Sequence, residues 1–194
     1  GDTPGTTGEW GVWRSQGACG GGTNPGNPGN PGTPGNPGNP TGFVVSEAQF
    51  NQMFPNRNPF YTYQGLVDAL SAYPGFATTG GAEVAKREAA AFLANVNHET
   101  GGLVYVKEIN TANYPHYCDP AQPYGCPAGQ DAYYGRGPLQ LSWNFNYRAA
   151  GEALGIDLLA DPWLGEQDPT VAWQTALWYW NPQPGTCLFD TSPS

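Results

Sequence analysis

The chain has 194 residues, of which 12% are charged and 13% aromatic, and it carries a formal net charge of −9. A surface of that sign repels nucleic acid and anionic lipid, which sets both aside as partners. No uninterrupted apolar run reaches the roughly 18 residues that a membrane-spanning helix needs. With seven Trp and eleven Tyr among few charges, the composition suits either an aromatic core or a neutral polysaccharide, whose apolar ring faces stack on aromatic side chains. The sequence opens at Gly1 without an initiator Met or a signal peptide, and reads as a processed product or a fragment.

Residues 1–22 are too few to bury a core. Residues 23–42 contain NPGNPGNPGTPGNPGNP, with Pro before Gly at every third position from Gly26 to Gly38. The period is that of collagen, but so few triplets do not sustain a triple helix. A linker is the better reading, extended by Pro at about 3.1 Å per residue and spanning roughly 50 Å. From Phe43 to Ser194 the character changes to a compact domain. Ser46 and Gln49 form a capping box ahead of Phe50, Met53 and Phe54. Thr62 opens a second helix that carries Leu66, Ala69, Leu70 and Tyr73 on one face. Residues 81–99 form a longer, Ala-rich helix with Val84, Ala85, Ala89, Phe92 and Val96 at helical spacing, closed by Gly101 and Gly102. Another runs from Asn146 to Leu154. The last begins with Asp168 as N-cap and Pro169 at the first helical position, and stops at Asn181–Pro182. Leu103–Val106 is the one candidate strand, so the fold class is mainly α with long loops.

Four cysteines occur. Cys118 and Cys126 close a short Pro- and Gly-rich loop and read as a local disulfide in an exported, extracellular protein. Cys19 and Cys187 either pair with each other or with partners outside this sequence. No cluster has the spacing of a metal site.

Two carboxyl groups stand out. Glu99 lies at the C-terminal end of the long helix, where the macrodipole disfavours a carboxylate and neighbouring Val96, Leu103 and Val104 add desolvation. Both effects favour the protonated form, as a general acid requires. Nine residues on, Glu108 follows Lys107 and precedes the polar Asn110, Thr111 and Asn113, which keep it solvated, as suits a general base. Each carboxylate has the alternative of being an ordinary surface Glu. The run AYYGRGPLQLSWNFNY, residues 132–147, then alternates Tyr133, Tyr134, Trp143, Phe145 and Tyr147 with Gln140, Ser142, Asn144 and Asn146. That alternation of aromatic platform with amide or hydroxyl fits a sugar-binding cleft, or a strand with one buried face. Ser142 has no His or acidic neighbour in sequence to make it a nucleophile; a hydroxyl that positions water fits better.

The strings NHETGG, TANYPHYC, YYGRGPLQLSWNFNY and DPTVAWQTALWYW, in this order and with nine residues from Glu99 to Glu108, resemble glycoside hydrolase family 19 chitinases over about residues 43–182. The resemblance implies a lysozyme-like helical domain with a deep cleft that cleaves chitin or chitooligosaccharides by inversion, as a monomer and without a cofactor. It implies Glu99 as general acid and Glu108 as general base, with Ser142 holding the attacking water. Tyr133, Gln140 and Asn146 would bind N-acetylglucosamine units, and His98 and Arg136 would support the carboxyls. Trp10 and Trp13 ahead of Cys19 resemble the end of a small chitin-binding module. Two departures stand against the pattern. Gln174 occupies a position where the family usually has a basic residue. The family's continuation is not recognisable after Asn181, so residues 43–194 are expected to hold a C-terminally shortened catalytic domain. Other readings are a peptidoglycan-cleaving relative on the same scaffold, a chitin-binding protein without turnover, and a fragment that does not fold.

Overall fold

A computed structural model describes residues 41–181. The N-terminal stub, the Pro/Gly/Asn segment to residue 40, Cys19, Cys187 and the C-terminal tail lie outside the described residues.

Local sequence sets the helix starts. Helix α1, Glu47–Met53, begins at the expected capping box: the Gln49 amide donates to Ser46 Oγ at 3.2 Å and the Ser46 amide to Gln49 Oε1 at 2.9 Å. Helix α2, Tyr63–Leu70, starts where Thr62 Oγ1 accepts from the Gly65 amide. Helix α3, Ala82–Thr100, buries Ala85, Ala89, Phe92, Leu93, Val96 and Thr100 along one stripe. Val84 falls outside that stripe and is exposed. Gly101 ends α3 in the left-handed region at φ 59°, which a residue with a Cβ enters only at a cost. Helix α4, Asn144–Leu154, starts two residues earlier than the sequence suggested. Helix α5 is the short Leu164–Gln167. Helix α6, Pro169–Trp180, starts with Asp168 Oδ1 accepting from the Thr170 and Val171 amides, and its C-cap is Asn181.

The apolar side chains of α6 surround it on all sides, so it is a buried helix rather than an amphipathic one. Trp173, Ala176, Leu177 and Trp180 join a cluster built with α1, α2 and α3. Val171 and Trp178 join a second cluster built with α4 and the 117–147 segment. Trp173 is fully buried, with the rings of Phe50, Tyr61 and Phe92 at 6.1, 5.9 and 6.3 Å. Helix α2 approaches α6 closely at Gly65, where a Cβ would stand 3.2 Å from Pro169 Cβ.

The candidate strand is not one. Leu103 has φ 62°, and the Val104 and Tyr105 amides both donate to Thr100 O at 3.0 Å, so the chain curls around the end of α3. Beyond it, Val106 O accepts from the Gly137 amide and the Glu108 amide donates to Gly135 O, both at 2.8 Å. Arg136 is bridged antiparallel to Lys107 on one side and Leu141 on the other. These isolated bridges replace strands among the described residues.

The TANYPHYC segment, expected as a loop, holds a 3₁₀ helix, Thr111–Tyr117. Such a helix leaves no 3.6-residue signature in sequence. Cys118 and Cys126 form the expected disulfide.

Candidate active site

Glu99 is the penultimate residue of α3, half-buried, two residues before the Gly101 cap. His98 beside it is exposed. Thr100 is buried and turns inward: its hydroxyl donates to Val96 O at 2.6 Å and accepts from the Leu103 amide at 2.7 Å. The last turn of α3 is therefore locked to the start of the segment that leads to Glu108.

Glu108 is also half-buried. Its Oε1 accepts from Asn113 Nδ2 at 2.9 Å and from the Tyr117 hydroxyl at 3.0 Å. Its main-chain carbonyl accepts from the Tyr114 hydroxyl at 2.8 Å. All three donors come from the 3₁₀ helix, whose i, i+3 spacing turns Tyr114 and Tyr117 to the same side. Burial and the Glu108 carboxylate hold the Tyr117 phenol well above the ordinary range, so it stays a donor. Among the described residues no donor reaches Glu108 Oε2.

Ser142 directly follows Leu141, the partner of Arg136, so the bridges bring it into the same small assembly as Glu108. Its main-chain carbonyl accepts from Asn146 Nδ2 at 2.9 Å, and no protein group among the described residues engages its hydroxyl. Gln140 and Trp143 on either side of it have φ 51° and 78°. With Leu103, that puts three of the four non-glycine residues of positive φ among the described residues at or within a few positions of the candidate residues. Backbone strain of this kind persists where surrounding structure enforces it and gathers at functional sites. Gln140 Nε2 donates to Gly137 O at 2.9 Å. Gln140 and Asn146 are half-buried. The Trp143 and Phe145 rings stack at 5.5 Å with an interplanar angle of 22°.

Tyr133, expected on a sugar, and Arg136, expected beside the two carboxyls, have other partners in the structure. Tyr133 is fully buried; its hydroxyl donates to Leu159 O at 2.6 Å and accepts from the Ala128 amide at 3.0 Å. It is a strut between loops and has no face or polar atom left for a sugar. Arg136 is 1% exposed, and the carboxylate it binds is Glu166, at 2.9 Å from Nε, rather than Glu99 or Glu108. Its Nη1 donates to Ala132 O and to the Tyr147 hydroxyl. Asn144, placed by the sequence among the sugar-facing amides, is likewise buried; it bonds the Asp119 amide, Asp119 O and Gly125 O, fastening the disulfide loop to α4. Glu166, Tyr114 and Tyr117 are the site-region residues that sequence reasoning missed. Tyr114 and Tyr117 carried one signal, their three-residue spacing. Glu166 carried none, since α5 is a single turn.

The model of the class I chitinases, glycoside hydrolase family 19, matches residues 44–187. The chain belongs to this family. The match passes Asn181, where the family likeness was expected to stop. Chitinase C from Streptomyces griseus is 80% identical and superposes with a TM-score of 0.72, covering 73% of this chain and 56% of that one. A class IV family 19 chitinase from Zea mays superposes with a TM-score of 0.64 at 48% identity, covering 71% of this chain and 70% of that one. Chitinase 3 of Oryza sativa is 45% identical over 156 residues, which is 71% of this chain and 48% of the rice protein. The chain thus spans about half the length of the curated relatives it matches. The mainly helical fold is that of the bacterial family 19 enzymes.

Proposed function

We propose that the protein hydrolyses the β-1,4 links between N-acetylglucosamine units of chitin and chitooligosaccharides by a single displacement that inverts the anomeric centre. Glu99 gives its proton to the glycosidic oxygen as the bond to C1 breaks. Water attacks C1 from the opposite face and loses its proton to Glu108, so the sugar leaves as the α-anomer. The observation that carries the reading is the state of the Glu108 carboxylate. Two donors fix Oε1, and among the described residues Oε2 has no hydrogen-bond partner, as a base that must accept a proton from water requires. Ser142, with its hydroxyl unengaged, holds that water. The helix terminus under Glu99 favours its protonated form.

Gln140 and Asn146 contact the sugar amides and hydroxyls, His98 lies at the rim beside Glu99, and the Trp143–Phe145 pair offers a face to a pyranose ring. The enzyme works as a secreted monomer, with residues 1–22 as the end of a chitin-binding module and residues 23–42 as its tether. The Cys118–Cys126 disulfide supports export. No helix among the described residues is long and apolar enough to cross a membrane.

Glu99→Gln and Glu108→Gln test the assignment on chitin hexasaccharide. Each should lower kcat by at least ~100-fold, the usual contribution of a positioned acid or base, with the fold confirmed by a cooperative melt. Activity within a few-fold of the parent in either folded variant contradicts the role given to that residue.

A further inference from the structure

Glu166 stands in α5, away from both candidate carboxyls in sequence, yet its bonds lead to one of them. Its Oε2 accepts from Arg136 Nε at 2.9 Å and from the Tyr134 hydroxyl at 3.2 Å. Its Oε1 lies 3.9 Å from Lys107 Nζ. The Arg136 guanidinium covers the Tyr134 ring at 3.8 Å, and on that ring Tyr114 stacks at 3.7 Å with an interplanar angle of 12°. The Tyr114 hydroxyl donates to the carbonyl of Glu108. From the other side, the Glu108 amide is held by Gly135, and Lys107 is bridged to Arg136. The main chain at residues 107–108 is thus gripped in a closed ring of contacts in which Glu166 is the carboxylate that pairs with the two cations, Arg136 and Lys107.

Arg136 is 1% exposed, and among the described residues Glu166 is the one carboxylate it pairs with. Burial works against the Arg136 cation, while Tyr147, Tyr134 and Glu166 more than offset it and keep it protonated. Arg136 Nη2 is buried without a hydrogen-bond partner, so the guanidinium has no spare contact to fall back on. Removing the charge of Glu166 leaves a buried cation unpaired, which is strongly unfavourable. The cheapest relief is for Arg136 to swing toward solvent, which unstacks Tyr134 and Tyr114 and releases the Glu108 carbonyl.

We propose that Glu166 is a positioning residue for Glu108, acting through the Arg136–Tyr134–Tyr114 stack and through Lys107. The proposal rests on Glu108 being the general base, and two readouts separate the two ideas. The first is the ¹³C signal of the Glu108 side-chain carboxyl in labelled protein, assigned by its loss in Glu108→Gln. The second is kcat and KM on chitin hexasaccharide. In folded Glu166→Gln the carboxyl signal should move and kcat should fall roughly tenfold to a hundredfold, the size of effect that a small misplacement produces, with KM within about twofold. Tyr114→Phe should lower kcat as well, and the double variant should lose less than the product of the two single losses, because both act on one contact. Glu166→Asp, which keeps the charge, should recover part of the loss. If Glu166→Gln does not fold, Lys107→Met takes its place: that side chain is half-exposed, and it should move the same signal and couple to Tyr114→Phe in the same way. An unmoved Glu108 signal, or losses that multiply independently, overturns the positioning role. A moved signal with unchanged kcat supports the positioning role and contradicts Glu108 as the base.

Discussion

Asn144, Gln140 and Asn146 stand in one short run of sequence and look alike there, but the structure divides them. Gln140 and Asn146 are half-buried, and their amides donate to Gly137 O and Ser142 O close by in sequence, whereas Asn144 is sealed in with three main-chain partners from the 119–125 loop. Replacing it takes a partner from two carbonyls and one amide of half-buried residues, and each such group costs about 1–3 kcal/mol unless water reaches it. Asn144→Ala should therefore lower stability by about 2–4 kcal/mol in urea unfolding, within the range of a broken buried network. A loss below about 0.5 kcal/mol, typical of a surface change, would mean that the amide carries no structural load. Tyr133 teaches the same point. Its place in an aromatic run marks it equally as platform or core, and only the distant Leu159 carbonyl settles which. The helix end that holds Glu99 and the polar surroundings of Glu108 were legible because both are local properties. The partners of Glu108 on the 3₁₀ helix were only half legible, Asn113 as a polar neighbour and the tyrosines only through their three-residue spacing.

At the scale of elements, helix starts and stops came through most faithfully. Ser46 with Gln49, Thr62 and Asp168 with Pro169 each cap through contacts within a few residues, so their chemistry is written in adjacent letters. What was hidden lacked a period: α5 and the 3₁₀ helix are too short or too tightly wound, and the 103–106 segment reads as extended until the φ of Leu103 is seen. Helix α3 also carries an acid whose role concerns the fold alone. Glu88 Oε2 accepts from the amide of Ala77, a residue at φ 51°. Burial pushes the Glu88 carboxyl above the ordinary range, more than the Ala77 amide pulls it down. A raised folded pKa means that the native state binds the proton more tightly than the unfolded chain. The contribution of this group to stability therefore falls as pH rises from the ordinary carboxylate value through the raised one. Glu88→Gln keeps an acceptor for Ala77 and removes the buried charge. Its melting temperature should exceed that of the parent near neutral pH, and the gap should close well below the carboxylate range, where both proteins are uncharged at this position. An equal gap at both pH values would place the effect elsewhere.

For the whole molecule, α6 is the organising fact. Its apolar positions on every side let it serve two clusters at once, one holding the α3 end with Glu99 and the other backing the loop system that carries Glu108 and Ser142. Family-level pattern and overall helical class were readable from motif strings in order. The ring around Arg136 was not, because it joins residues 107, 114, 134, 136 and 166 across loops of no regular period. The net charge of −9 fits a neutral polymer and says nothing finer about its length. The central claim, a water-mediated inversion between Glu99 and Glu108, is tested most directly by following the anomeric protons of chitin hexasaccharide products by NMR during the first minutes of reaction. The account predicts that the new reducing ends appear first as the α-anomer and only later equilibrate. Initial β-anomer, or no product from the folded protein, would contradict it.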